Sequence, residues 1–368
     1  MFIHMSRVAS RNVLIASAAC LLSVAPACGQ AGAPTPVKGY TLSVFATGVV
    51  GRYTAPDSIA VFKNHVYIAY GDGNDPTGAD GKTNMVVEYN LEGQKVFSFT
   101  VKGHNDGMKV NPYTHKLWVM QNEDANPNLV VFDPETREKT LYSFAAPPSA
   151  GGGYDDITFR GNKAYLSASN PASNPNTGSA IDEVKLENGQ VVVVKHVLQG
   201  NATATNILTG QHVTLNLQDP DSMTVSPVGE IVLDSQGDSE LLMVRKAGTK
   251  DQSVLQIPLS SPYGQPQVDD TLFTPAGDGF ILVSDTAANI TYKISKAKFA
   301  SGVPYSAGVA GSSPAPGFVG RLDLEFGLLT PIVSGMLNPH GLAFVKTGDE
   351  EGYREELKET CEQLFPNL

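Results

Sequence analysis

Six short segments repeat one arrangement: an acidic residue or histidine, then residues of strand character two and four positions later. They are PDSIAV (56–61), NDGMKV (105–110), YDDITF (154–159), PDSMTV (220–225), VDDTLF (268–273) and PHGLAF (339–344). The leading positions are Asp57, Asp106, Asp155, Asp221, Asp269 and His340. Acidic residues are poor strand formers and costly to bury. If the fold gathers them, they repel, so some must protonate, pair or hold a cation. Oxygen ligands from Asp suit Ca²⁺ better than Zn²⁺. The bland alternative, for each Asp alone, is an Asx-turn with its own backbone. His104 and His340 stand at the entries of these strands, and each has the chemistry of a general base near neutral pH.

The elements that position these residues are short strands. Each segment is followed by further strand-like runs, for example HVYIAY (65–70), NMVVEYN (84–90) and KVFSFTV (95–101) after the first. Turns such as NLEG, DPET and LENG separate the third and fourth runs. Four antiparallel strands per unit of roughly 40–50 residues is the pattern of a β-propeller blade. The leading positions are spaced 49, 49, 66, 48 and 71 residues apart. The two long spacings carry Gly-, Ser-, Thr- or Pro-rich stretches near 199–216 and 300–316, read as insertions. The expected fold is all-β: a six-bladed β-propeller with an irregular last blade and a short C-terminal helical tail. In a propeller, the start of the innermost strand and the end of the second open on one face. Asp72, Asn122, Asn170, Asp234 and Asp285 at second-strand ends therefore join that face.

The last part is less regular. GFILVSD (279–285) and ITYKIS (290–295) read as a continuation of blade five. FVGRLDL (318–324) and LLTPIVS (328–334) read as third and fourth strands after an excursion. PHGLAFV begins a sixth unit whose middle strands are not evident. YTLSVFAT (40–47) is expected to complete that unit as its outer strand. The tail 347–368 is acidic and helix-like. Either it packs as a terminal helix or the sixth blade is incomplete.

The ends and the composition set the class. Arg7 and Arg11 precede an apolar run at 13–27, followed by small residues, which reads as a signal peptide over 1–31. Propeller then occupies 32–346 and the acidic tail 347–368. The expected location is secreted or periplasmic, with a lipoprotein anchored through Cys28 as the alternative. Cys20, Cys28 and Cys361 lie outside the body, so neither a disulfide framework nor a thiolate zinc site is expected there. The net charge is −11, and removing Arg7 and Arg11 makes it −13, which argues against nucleic acid as a partner. A monomer with a small-molecule ligand or substrate, and no membrane span after the signal, is the expectation. No Gly-rich phosphate loop, G-x-S-x-G elbow or H-E-x-x-H motif occurs. Trp118, the only tryptophan, falls in a second strand and is expected in the core.

On these segments the chain resembles the calcium-dependent six-bladed propellers: paraoxonase-like lactonases, the gluconolactonase/senescence-marker family and strictosidine-synthase-like proteins. PDSMTVSPVGEIVL is similar to their first-strand motif, which points to Asp221 as a metal ligand. YDDITF looks like an N-D-I segment with Asp155 in place of Asn, and QVDDTLF like a V-D-N segment with Asp269 and Asp270 at the ligand pair. PDSIAV puts Asp57 where Glu is expected. NHL-repeat propellers share the apolar pattern. The resemblance implies Ca²⁺ held by Asp57, Asp155, Asp221, Asp269 and Asp270, with His104 or His340 as base in hydrolysis of lactones or esters. The alternative is a non-catalytic propeller that binds a ligand or protein across its face.

Overall fold

In the computed structural model, residues 33–310 and 316–347 are described, and every regular element among them is a strand. The signal-peptide reading, all three cysteines and most of the acidic tail lie outside these residues. No helix among the described residues is long and apolar enough to cross a membrane.

The strands form sheets whose four-stranded units are antiparallel, each unit begun by one of the repeated segments. Pro56–Phe62 starts the first and is followed outward by His65–Tyr70, Thr83–Asn90 and Lys95–Lys102. Asn105–Val110 and Gly153–Arg160 start two more, whose outermost strands meet edge to edge at Ser143 and Phe144. Pro220–Val225 starts the next. There the stretch read as an insertion forms a hairpin, Thr203–Asn206 with His212–Thr214, added to the outer edge of that sheet.

Apolar side chains on both faces of each sheet pack against the next sheet. One cluster joins Tyr67, Val86 and Phe99 to Met108, Val119 and Phe132. Another joins Leu282, Phe280 and Val345 back to Ile59, Val66 and Tyr89. Fully burying a side chain such as Phe132 contributes about 2–3 kcal/mol. Trp118 is buried, edge-on to Phe159. The innermost strands touch in a closed series: Pro56–Phe62, Asn105–Val110, Gly153–Arg160, Pro220–Val225, Pro266–Phe273, Pro339–Lys346 and back to the first. The chain is a β-propeller.

Two sequence expectations are corrected here. GFILVSD and ITYKIS do not continue the sheet begun by Pro266–Phe273. Gly279–Asp285 pairs with Pro339–Lys346, and Ile290–Lys296 lies outside it, so these are the middle strands that the last unit lacked. The sheet of Pro266–Phe273 takes Pro304–Ala310, Gly317–Asp323 and Leu328–Met336 instead. Part of the second supposed insertion is thus a second strand. The chain leaves one sheet, lays two strands in the next, and returns. That detour accounts for the 71-residue spacing between Asp269 and His340. As expected, Tyr40–Thr47 completes the last sheet, pairing with Ile290–Lys296. Thr35–Pro36 also edges the neighbouring sheet against Val333 and Ser334.

One local device recurs where the acidic residues sit. In each innermost strand, two residues oppose a single residue of the second strand: Asp57 and Ser58 face Ala69, Asp106 and Gly107 face Met120, Asp155 and Asp156 face Ser167. Asp221 and Ser222 face Asp234, Asp269 and Asp270 face Ala307, and His340 and Gly341 face Ser284. These are β-bulges, which bend the strand and re-aim side chains.

Candidate functional site: a ring of buried carboxylates

The bulges bring the repeated residues together. The His340 imidazole lies between two carboxylates, with Nδ1 3.2 Å from Asp269 Oδ1 and 3.4 Å from Asp57 Oδ2. Its Nε2 lies 2.7 Å from Asn338 Nδ2. Gln236 Nε2 donates to Asp269 Oδ1 at 3.1 Å. Asp106 feels the charges of Asp155, Asp57, Glu123 and Asp269; Asp221 feels those of Asp155, Asp269 and Asp106. So five carboxylates, Asp57, Asp106, Asp155, Asp221 and Asp269, share one region with His340.

The electrostatics follow from burial and crowding. Burial, then mutual repulsion, holds the Asp106, Asp155 and Asp221 carboxyls well above the usual carboxylate range. Burial lifts Asp269 to about 7 even though His340 pulls it down. Burial opposes charge on His340, but Asp269 and Asp57 outweigh it and raise its pKa to about 10. The two carboxylates therefore favour a proton on Nδ1, and Nε2 is occupied by Asn338, so His340 is not placed as a free base.

His104 is placed differently. Its Nδ1 lies 2.9 Å from Glu123 Oε2, and Asp106 offers an oxygen to the same group. A Cβ on residue 71 would lie only 2.7 Å from His104 Nε2, so Gly71 leaves room for that nitrogen. Burial disfavours the charged ring, but the Glu123 hydrogen bond and charge prevail and raise its pKa. With Nδ1–H donated to Glu123, Nε2 is the free, basic nitrogen. This pairing of base and orienting carboxylate is the one seen in catalytic dyads.

Asp270 is turned away from this group. Its Oδ2 accepts the Leu342 N–H at 2.8 Å on the neighbouring innermost strand, and its Oδ1 is 3.9 Å from Lys109 Nζ. Burial raises it to about 6 despite that ammonium. Asp156, the matching residue in the other Asp-Asp pair, accepts the Met223 N–H at 2.8 Å and lies 3.2 Å from Lys109 Nζ. Burial works against charge on Lys109, yet Asp156 and Asp270 push its pKa up.

The second-strand ends do turn work. Asp72 accepts from the Thr54 N–H and hydroxyl, and Asn122 Oδ1 from the His104 N–H. Asp285 accepts the Leu337 and Asn338 N–H groups. Asp234 is buried and accepts from Thr271 Oγ1. Asp72, Asn122 and Asp285 thus spend oxygens on backbone N–H groups remote in sequence, which ties neighbouring loops to these strand ends.

Sequence reasoning passed over Lys109, Glu123 and Asp156. Lys109 left a signal. Three residues after the leading position, the other segments carry Ala60, Thr158, Thr224, Leu272 and Ala343, so it is the only charged residue there. Glu123 left none, because its partnership with His104 depends on two strands meeting.

Whether these residues fit a cation is tested by their unmet oxygens. Asp155 is 4% exposed, and its Oδ1 has no partner in the protein. A buried carboxylate oxygen without a donor is costly. An all-oxygen set with such a vacancy in its hydrogen bonding fits a hard divalent ion such as Ca²⁺.

No family model matches the chain, and no curated protein matches it. Solved structures do. A virginiamycin B lyase from Staphylococcus aureus aligns at 11% identity and TM-score 0.40, over 84% of this chain and 75% of its own. A "putative gluconolactonase" aligns at 11% identity and TM-score 0.45, over 82% of each chain. A "putative 6-phosphogluconolactonase" from Bacteroides fragilis aligns at 14% identity and TM-score 0.45, over 85% of this chain and 86% of its own. At such distances they carry no weight for function, which rests on the side chains above.

Proposed function

We propose that the protein is an exported, monomeric, six-bladed propeller that holds one Ca²⁺ at its channel mouth and hydrolyses lactones or related esters. The observation that carries this reading is the convergence of five bulge-borne carboxylates with Asp155 Oδ1 left without a partner. Asp57, Asp155, Asp221 and Asp269 would hold the ion, joined by Asp106. Asp270 is the least suited of the sequence candidates, since Lys109 and the Leu342 N–H already engage it. When bound, Ca²⁺ supplies charge that polarises a carbonyl. The chain's own part is proton transfer. His104 Nε2, oriented through Nδ1 by Glu123, takes a proton from water. His340 stands on the other side of Asp57, its Nδ1 within reach of the Asp57 and Asp269 carboxylates, and positions those two groups.

A non-catalytic reading draws on one observation. The His340 ring already engages two of the carboxylates, which suits a site that binds a ligand without turning it over. Calorimetry with Ca²⁺, and a lactone and aryl-ester panel with and without chelator, separate the two. Hydrolysis requires chelator-sensitive turnover lost in His104→Gln. Ca²⁺ binding without turnover on any member leaves the binding reading.

A further inference from the structure

The second carboxylates of the two Asp-Asp pairs form a group of their own. Asp156 and Asp270 are 1% and 4% exposed. At the matching positions the other innermost strands carry Ser58, Gly107, Ser222 and Gly341, none of them acidic. In the ring of innermost strands, those of Asp270 and Lys109 are opposite one another, each three places from the other either way. Lys109 therefore crosses the channel. Its Nζ reaches 3.2 Å from Asp156 Oδ2 and 3.9 Å from Asp270 Oδ1. Asp156 Oδ1 has no hydrogen-bond partner, although the residue is buried. Asp234, buried opposite Asp221 and Ser222, is a further acid nearby, its carboxyl held well above the usual range by burial and then by Asp270.

We propose that Asp156 and Asp270 form a second cation position in the channel, and that the Lys109 ammonium is the cation that fills it. Lys109 is then a specificity-determining residue that limits the channel to a single free ion at the mouth. The same pair of acids fixes the bulges, because each also accepts an N–H from a neighbouring innermost strand. Removing the ammonium leaves two buried carboxylates uncompensated, a severe loss unless a mobile cation replaces it.

The test is Ca²⁺ calorimetry on the full mature chain, backed by Tb³⁺ luminescence. Lys109→Met is expected to bind one more equivalent than the wild type and to need Ca²⁺ for its full thermal stability. The variant Lys109→Met/Asp156→Asn/Asp270→Asn, in which the amide oxygens still accept the Met223 and Leu342 N–H groups, should return to the wild-type stoichiometry. Unchanged stoichiometry in Lys109→Met would overturn the proposal. So would a Lys109→Met chain that millimolar Ca²⁺ does not restore. The inference is separable from the reading of the mouth. A wild type that binds no ion, beside a Lys109→Met variant that binds one, would sink the mouth site and uphold this one.

Discussion

At the residue scale, a carboxyl group that is a liability in the ion-free protein is, on the proposed function, a ligand. Asp155 is buried, crowded and held far above the usual carboxylate range. Asp155→Asn should therefore act with opposite signs in the two states. The ion-free protein should gain stability, with melting in chelator rising by about 2 °C or more, since ~1 kcal/mol shifts a domain of this size by a few degrees. Ca²⁺ affinity should fall at least tenfold, ~1.4 kcal/mol. A melting temperature that drops in chelator would mean the carboxylate is engaged by protein, not waiting for an ion. Gly71 gives a second test. Its φ lies outside the left-handed region, so alanine is conformationally tolerated, but the added methyl meets His104 Nε2. Gly71→Ala should leave folding and Ca²⁺ binding intact while lowering kcat/KM on any lactone substrate tenfold or more. Unaltered turnover would remove His104 from the chemistry.

At the element scale, the repeated segments announced the innermost strands, and their leading residues do converge. The bulges were not legible. A bulge is a matter of which residue of the partner strand faces which, and Asp57-Ser58 facing Ala69 leaves no trace in local periodicity. Gly279–Asp285 was recognised as a strand but given to the wrong sheet, because its alternation suits either. Its position is decided by remote contacts: Asp285 accepts the Leu337 and Asn338 N–H groups, and Gly48 N–H bonds to Asn289 O. Some carboxylates also serve the strands alone. Glu240, beside Gln256 and Asp238, is raised by burial to about 7 from 4.5. A raised carboxyl favours folding below the unfolded value and loses that contribution as pH climbs from about 4.5 through 7. The loss is about 3 kcal/mol by linkage. Glu240→Gln should match the wild type in urea unfolding near pH 4.5 and exceed it by roughly that amount above pH 7. A constant difference across this range would contradict the assignment.

At the scale of the whole molecule, the chain visits its last sheet three separate times: Tyr40–Thr47, then Gly279–Asp285 with Ile290–Lys296, then Pro339–Lys346. Ring closure therefore depends on pairings of very long sequence separation, whose loop-closure entropy is met late in folding. The N-terminal strand is where that closure is most exposed to test. Phe45 is buried there, with its ring 6.1 Å from Tyr89 of the first sheet and 6.4 Å from Phe280 of the last. It bridges the two ends of the ring. Phe45→Ala should cost about 3–4 kcal/mol in denaturant unfolding, as for a large core truncation. Leu141→Ala, on an exposed outer-strand position, should cost under ~0.5 kcal/mol. The loss should also raise hydrogen exchange at Ile290–Lys296, the strand that Tyr40–Thr47 covers, before it reaches strands of the second and third sheets. Because the carboxylate ring draws a residue from every innermost strand, the proposed Ca²⁺ binding should also weaken on loosened closure, without a change at any ligand. Exchange that rises evenly over all sheets would mean that the ring opens as one cooperative unit, with no seam at the N-terminal strand.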